Sequence, residues 1–301
     1  MHYSGSPRYT ASRVGNRLIS RDQRQSGRVT FWSETTMSNP YLPPEILDYV
    51  VDLLYDYPNV LERCCLVSKS WIPRTRKHLF AEIRLHDKKD LESWKTVFPD
   101  PSTCPAYFTK SLHVGCARAV TAADAEPGGW LTGFSHIVHL GVETEELYPG
   151  ESPVSLVPFH GFSPVIKSLH LGSIDLPPSR IFNFVLSSPL LEDLTVSCHG
   201  IPEDDGDSSD GPATVDQPSN TPLFTGSLEL PPLCGGLAPI AGRLLSMPGG
   251  IHSRKLVLGC FCEEDLLLAR ALVGECSHTL ESLNITCFWL RTSIRCTCPH
   301  R

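Results

Sequence analysis

The chain has 301 residues, of which 41% are hydrophobic and 20% charged, and its formal net charge at pH 7 is −7. This length accommodates one or two domains with buried cores. The acidic balance argues against nucleic acid as a partner. No apolar run approaches the roughly 18 residues that a membrane-spanning helix needs, so no membrane association is expected.

Residues 1–36 are rich in arginine and serine and nearly free of acidic residues, and they show no sustained apolar period. We expect residues 1–40 to be a disordered tail, because such a segment buries too little apolar surface to offset the cost of ordering. An Arg-rich, acid-poor composition also fits a mitochondrial transit peptide, although no amphipathic helix is evident here. Met37 is an alternative natural start.

The first 30 residues lack the apolar segment of a secretory signal. The twelve cysteines are therefore expected to be reduced thiols in the cytoplasm or the nucleus.

Residues 42–80 predict three short helices. Pro43 suits a first helical turn, and apolar residues from Ile46 to Leu54 recur at three- and four-residue spacing. The sequence Tyr57-Pro58-Asn59 predicts a turn before a second apolar stripe. Ser68 is a candidate N-cap for a third helix that contains Trp71. The basic residues of this third helix, Arg74 to His78, are expected to form a solvated face.

From about residue 105 a repeat of short strand-like segments begins, each with a Leu-x-Leu, Leu-x-Val or similar core. The first core positions are 112, 138, 169, 194, 228, 256 and 283, separated by 25 to 34 residues. This spacing is close to the leucine-rich-repeat period of about 20–29 residues. Helix-like segments between several strands favour a solenoid whose strands line one face. The region between residues 112 and 138 offers no good helix.

The longest spacing is explained by an acidic insertion over residues 202–221, which we expect to be disordered because it is polar and of low complexity. The alternative to a disordered insertion without a function is a loop that is phosphorylated or that binds a basic partner. The repeat pattern stops after Leu290, so residues 291–301 are expected to be a frayed tail.

The sequence contains no phosphate-binding glycine loop, nucleophile elbow or His-Glu-x-x-His motif. We therefore expect no catalytic site, no cofactor and no bound metal. The acidic run Glu263-Glu264-Asp265 fits the first turn of a helix. His136 and His139 should point to opposite faces of a strand. Two cysteine clusters are weak metal candidates, since neither has a clear set of four ligands. These clusters are Cys260-Phe261-Cys262 and Cys296-Thr297-Cys298-Pro299-His300.

The ordered series of Leu42-Pro43, a helical apolar stripe, Leu66-Val67-Ser68-Lys69 and Trp71 resembles the F-box, a small helical module. F-boxes dock proteins onto the Skp-type adaptor of a cullin ubiquitin ligase. Cys64-Cys65 and the Tyr57-Pro58-Asn59 turn depart from the commonest F-box pattern. Residues 40 to 290 more broadly resemble fungal F-box-like proteins with degenerate leucine-rich repeats.

The resemblance implies an α+β or α/β solenoid, with a three-helix F-box over residues 41–82 and an irregular leucine-rich-repeat-like array over residues 83–290. It implies a substrate-recognition adaptor of an SCF-type ligase, which binds a Skp-type adaptor and an unknown target protein. The alternative is a repeat-type interaction scaffold whose F-box-like segment only caps the solenoid. The residues that the resemblance assigns to adaptor docking are Leu42, Pro43, Ile46, Leu47, Val50, Leu61, Leu66, Val67 and Trp71.

Overall fold

The computed structural model describes residues 43–144, 154–174, 176–197, 224–231, 237–247, 249–287 and 292–297, the last of these by backbone alone. The predicted tail over residues 1–40 and the acidic insertion over residues 202–221 lie outside the described residues. Among the described residues, no helix combines the length and the hydropathy needed to cross a bilayer.

Three helices open the described chain: α1 (Pro44–Leu53), α2 (Pro58–Val67) and α3 (Ile72–Leu79). A proline stands in the first turn of each helix, where its missing N–H costs nothing. The side chain of Ser68 caps the short 3₁₀ turn Lys69–Trp71 that precedes α3, by accepting a hydrogen bond from the N–H of Ser70. The three predicted helices are therefore present, but Ser68 caps the 3₁₀ turn and not α3, and the predicted turn at Pro58 and Asn59 is the start of α2.

Within the described residues nine strands follow in this mixed α/β fold, and they form one sheet in strict sequence order. Neighbouring strands from β1 to β8 run parallel, and β9 pairs antiparallel with β8. The strands are β1 (Glu82–Leu85), β2 (Ser111–Val114), β3 (His139–Glu143), β4 (Ser168–Gly172), β5 (Asp193–Ser197), β6 (Ser227–Leu230), β7 (Lys255–Cys260), β8 (Ser282–Cys287) and β9 (Thr292–Thr297).

The described parts of the connections between the strands carry four α-helices and several 3₁₀ turns. The helices are α4 (Lys88–Val97), α5 (Pro178–Leu186), α6 (Ala238–Leu245) and α7 (Glu263–Glu275). Three 3₁₀ turns span the connection from β2 to β3, which agrees with the poor helical pattern of that region. They are Ala117–Ala119, Ala122–Ala125 and Trp130–Gly133.

One side chain per strand forms a continuous apolar row through the core. The row consists of Ile83, Leu112, Leu140, Leu169, Leu194, Leu228, Leu256 and Leu283. All but Leu283 are buried, and residues two positions later in each strand form a second apolar row. Because side chains alternate along a strand, the other face of the sheet carries the polar residues. The described helices therefore cover one face of the sheet and leave the other open.

The structure differs from the sequence pattern in three places. The pattern assigns Val138 to the apolar row, whereas Leu140 occupies that position and Val138 precedes the strand. Strand β1 adds one unit before the first predicted repeat. The backbone of β9 forms a strand along β8 where the sequence predicts a frayed tail over residues 291–301.

Candidate functional site

Two surfaces combine exposure with unusual chemistry: the outside of the helical unit formed by α1–α3, and the open face of the sheet. The helical unit is held together by Asp52 at the end of α1, whose carboxylate accepts hydrogen bonds from Arg74 and His78 of α3. The Arg74 Nε–Asp52 Oδ1 distance is 2.6 Å. These bonds, the Arg74 bond above all, hold the pKa of the Asp52 carboxyl well below its usual range.

Most of the predicted docking residues lie on the surface of this unit. Leu66 and Val67, at the end of α2, are 77% and 68% exposed. Such exposure is unusual for aliphatic side chains at adjacent positions, and it marks a surface available to a partner. Pro43, Ile46 and Val50 are also exposed, and Leu47 and Trp71 are half-buried. Leu42 lies outside the described residues.

Leu61 is an exception, because it is only 1% exposed and packs inside the helical unit. It therefore belongs to the core of the helical unit, and its assignment to adaptor docking stays a prediction. Val51, also 1% exposed, shares this core role. The helical unit also exposes apolar and aromatic side chains that the sequence analysis does not assign to docking. They are Tyr49, Leu53, Tyr55, Tyr57 and Val60.

The open face of the sheet carries a histidine cluster that the sequence patterns did not reveal. His113 on β2 and His170 on β4 flank Glu143, which ends β3. The His113 Nε2–Glu143 Oε2 distance is 3.1 Å, and the His170 Nε2–Glu143 Oε1 distance is 2.9 Å. Hydrogen bonds from His113 and then His170 hold the pKa of Glu143 far below its usual range, against the opposing effect of burial.

Two glycines make room for this cluster. Gly141 lies between His113 and His170 in the strand register, and a methyl group there would collide with the His113 ring. A Cβ at Gly172 would lie 2.6 Å from Cγ of Glu143. The imidazole of His113 therefore lies against Gly141, and the stem of Glu143 lies against Gly172. The signal was available in the sequence, since both glycines interrupt strands that are otherwise rich in leucine and valine.

Further histidines extend the cluster across β1–β4. The ring of His86, which directly follows β1, lies 6.4 Å from that of His113 between centroids. His139 occupies the exposed first position of β3. We call the open face formed by His86, His113, His139, Glu143 and His170 the histidine face.

The acidic run at the start of α7 has a structural role. Asp265 is 1% exposed, and its carboxylate accepts hydrogen bonds from the N–H groups of Leu237 and Phe261, at 2.7 and 2.8 Å. Glu263 and Glu264 are exposed in the same first turn, as predicted for residues that favour the helix dipole. Asp265 thus ties α7 to the end of β7 and to the start of α6.

The metal candidates from the sequence do not converge in the described part of the chain, where no group of three or more ligating side chains could hold an ion. Cys260 ends β7 and is buried, whereas Cys262 is the exposed N-cap residue of α7, so the two thiols do not share a strand face. His136 lies outside β3 and packs its ring against Tyr107. Cys298 and His300 lie outside the described residues.

Comparison of the chain with protein-family models, with curated proteins and with solved structures finds no match.

Proposed function

We propose that this protein is a substrate-recognition adaptor of an SCF-type cullin ubiquitin ligase, acting in the cytoplasm or the nucleus. The observation that carries the proposal is the F-box-like segment, whose pattern residues Ile46, Val50, Leu66 and Val67 are exposed. Exposed apolar side chains at these positions are what a module that docks on an apolar partner requires. The helical unit would bind the Skp-type adaptor through this surface.

The sheet supports the second half of the proposal. We infer a leucine-rich-repeat-like array from the way in which each strand contributes one leucine or isoleucine to the same buried row. In such an array the buried rows maintain the fold, and the open face remains available for a target protein. The chain would thus present a target on one surface and bind the ligase through another.

The proposal is tested by capture of a purified recombinant Skp-type adaptor on the full-length chain, with affinities measured by calorimetry. Replacing both Leu66 and Val67 with aspartate should weaken binding at least about tenfold, or about 1.4 kcal/mol, because charges would replace apolar contacts. Leu267→Asp is the matched control, since Leu267 is 66% exposed on α7, away from the helical unit. This control should bind like the wild type, and circular dichroism should show all variants folded.

If the wild-type chain does not capture the adaptor, the proposal is wrong. It is equally wrong if the double variant and the Leu267→Asp control bind alike.

A second candidate is a repeat-type interaction scaffold whose helical unit only caps the sheet. It is favoured by the contacts that join the helical unit to the edge of the sheet. The Thr109 hydroxyl donates a 2.8 Å hydrogen bond to the carbonyl of Phe80, and the N–H of Lys110 donates to the carbonyl of Ala81. Phe80 itself is buried. A scaffold would bind a target without capturing the adaptor, so the same calorimetric experiment separates the two functions.

A further inference from the structure

Helix α1 carries apolar side chains on two of its sides. Val51 is buried in the helical unit, whereas Ile46, Tyr49, Val50 and Leu53 are between 39% and 61% exposed. These four residues stand at positions i, i+3, i+4 and i+7, so they form one continuous stripe along the helix. We call them the α1 stripe. Their exposure shows that the other described residues leave much of the α1 stripe uncovered.

A row of carboxylates borders the α1 stripe. Glu45, Asp48 and Asp52 each directly precede a residue of the stripe, and their spacing of three and four residues places them on one side of the helix. Asp52 identifies this side as the one that faces α3, because Arg74 and His78 of α3 reach its carboxylate. Glu45 and Asp48 are exposed, and α1 contains no basic residue.

The basic residues of the helical unit lie outside α1. The exposed ones are distributed over the other elements: Arg63 on α2, Lys69 in the 3₁₀ turn, and Arg76 and Lys77 on α3. Burial raises the pKa of the Cys65 thiol on α2 and the charge of Arg76 opposes this rise, so Arg76 lies toward α2. Arg74 does reach α1, where it donates to Asp52 and lies close to Asp48. One permanent cation thus faces three carboxylates, and the border of the α1 stripe keeps a negative charge.

From this arrangement we propose that the α1 stripe binds an amphipathic helix of a partner protein, and that lysine or arginine flanks the apolar face of that helix. Apolar residues at these spacings are what one helix presents to another. Basic flanks would place opposite charges beside Glu45 and Asp48. A second copy of this chain fits less well, because pairing two α1 stripes would bring two carboxylate rows together. An anionic lipid surface is repelled for the same reason.

The inference deepens the proposed function, because it names the chemistry of the adaptor helix that would lie along α1. It rests on that function only for the identity of the partner. The test uses synthetic peptides and no ligase component, so peptide binding and adaptor capture can each fail while the other succeeds.

The test measures fluorescence anisotropy of two labelled eighteen-residue peptides, titrated with the full-length chain at low ionic strength. Both peptides form amphipathic helices with the same leucine stripe, but one has lysine and the other glutamate on its flanks. The lysine peptide should bind at least about tenfold more tightly, because several opposite-charge pairs replace like-charge pairs. Added salt at 0.5 M should reduce this preference to less than about threefold, since it screens exposed charges.

Two double variants assign the binding to α1. Glu45→Lys with Asp48→Lys should abolish the preference for the lysine peptide, because the charges that border the α1 stripe are reversed. Ile46→Gln with Leu53→Gln should weaken binding of the lysine peptide at least about tenfold, because two apolar contacts are lost. Circular dichroism should show both variants folded, as expected for substitutions at exposed positions.

Helix α7 supplies the matched controls, since it also has an exposed acidic pair in its first turn and an exposed leucine. Glu263→Lys with Glu264→Lys changes the net charge of the chain by the same amount as the α1 charge variant. This control and Leu267→Gln should both bind the lysine peptide like the wild type.

Three results would overturn the proposal. The first is equal binding of the lysine and glutamate peptides to the wild-type chain. The second is the same loss of preference in the α7 charge control as in the α1 charge variant, which would assign the effect to net charge alone. The third is self-association of the wild-type chain in sedimentation velocity that the Ile46→Gln and Leu53→Gln double variant abolishes, which would assign the α1 stripe to a second copy.

Discussion

The carboxylate of Asp52 shows how one side chain can connect two short helices that have little core of their own. It accepts hydrogen bonds from Arg74 and from His78, whose Nε2 lies 2.7 Å from Oδ1. Short helices are marginal in isolation and depend on such tertiary contacts. Because the Asp52 side chain keeps about a third of its surface exposed, solvent screens the pairing, and its contribution is modest.

We predict that Asp52→Asn lowers the free energy of unfolding at pH 7 by about 0.5–1 kcal/mol. The pKa of Asp52 is lowered in the folded state, so its contribution is complete above the unfolded-state pKa of about 3.9 and is lost as the pH falls further. The difference between wild type and variant should thus narrow progressively below about pH 4. Urea denaturation of both proteins between pH 7 and pH 3 measures this difference in the free energy of unfolding. Asp48→Asn, on the exposed side of the same helix, should show a smaller difference at pH 7.

At the scale of the element, α2 separates side chains that maintain the fold from side chains that face solvent. Leu61 is 1% exposed, whereas Leu66, five residues later in the same helix, is 77% exposed. The first is therefore held by neighbouring side chains of the helical unit, and the second meets water.

We predict that Leu61→Ala lowers the free energy of unfolding by about 2–4 kcal/mol, since it removes buried methyl groups and leaves a cavity. Leu66→Ala should change it by less than about 0.5 kcal/mol, because the side chain is exposed. Both values come from chemical denaturation followed by circular dichroism. Equal losses for the two variants would contradict the separation of roles within α2.

Much of this element-level organisation could be predicted from the sequence. Pro43 predicts the start of α1 to within one residue, the apolar stripes predict the presence of α1–α3, and the Leu-x-Leu segments predict seven of the strands. Val138 was assigned in place of Leu140 because apolar residues on both sides of His139 fit the alternating pattern in two registers. Helix α4 was missed, although Asp87 caps it and Leu91 and Trp94 lie buried at helical spacing.

The histidine face could not have been predicted in the same way. His113, Glu143 and His170 are about 30 residues apart from one to the next, and only the strand register brings them together. A local motif search cannot detect side chains that meet across strands. The spacing of the strands and the placement of one histidine at the same position of β2 and β4 would have indicated it.

At the scale of the whole molecule, each strand pairs only with its neighbours in the sequence. Contacts of this kind are mostly local along the chain, so stability is distributed unevenly: interior units have neighbours on both sides, and the ends have one. Helix α1 lies near one end and buries only Val51, whereas β4 in the interior buries both Leu169 and Leu171.

We predict that backbone amides of α1 exchange with solvent by local opening, well before those of β4, which exchange only on global unfolding. Hydrogen-exchange mass spectrometry on peptides covering residues 44–53 and 168–172 measures the two rates. The same slow rate in both peptides would show that the helical unit and the sheet unfold as one cooperative body.

Side chains alternate between the two faces of the sheet along each strand, and this has an evolutionary consequence. Inward positions determine whether the chain folds, and outward positions determine the chemistry of its open face, so that chemistry can diverge while folding is conserved. Gly141 and Gly172 are exceptions, because a side chain at either would displace an outward neighbour. Variation that introduces larger residues at these two glycines should therefore be tolerated only together with changes at His113 or Glu143, which makes the four positions a coevolving set.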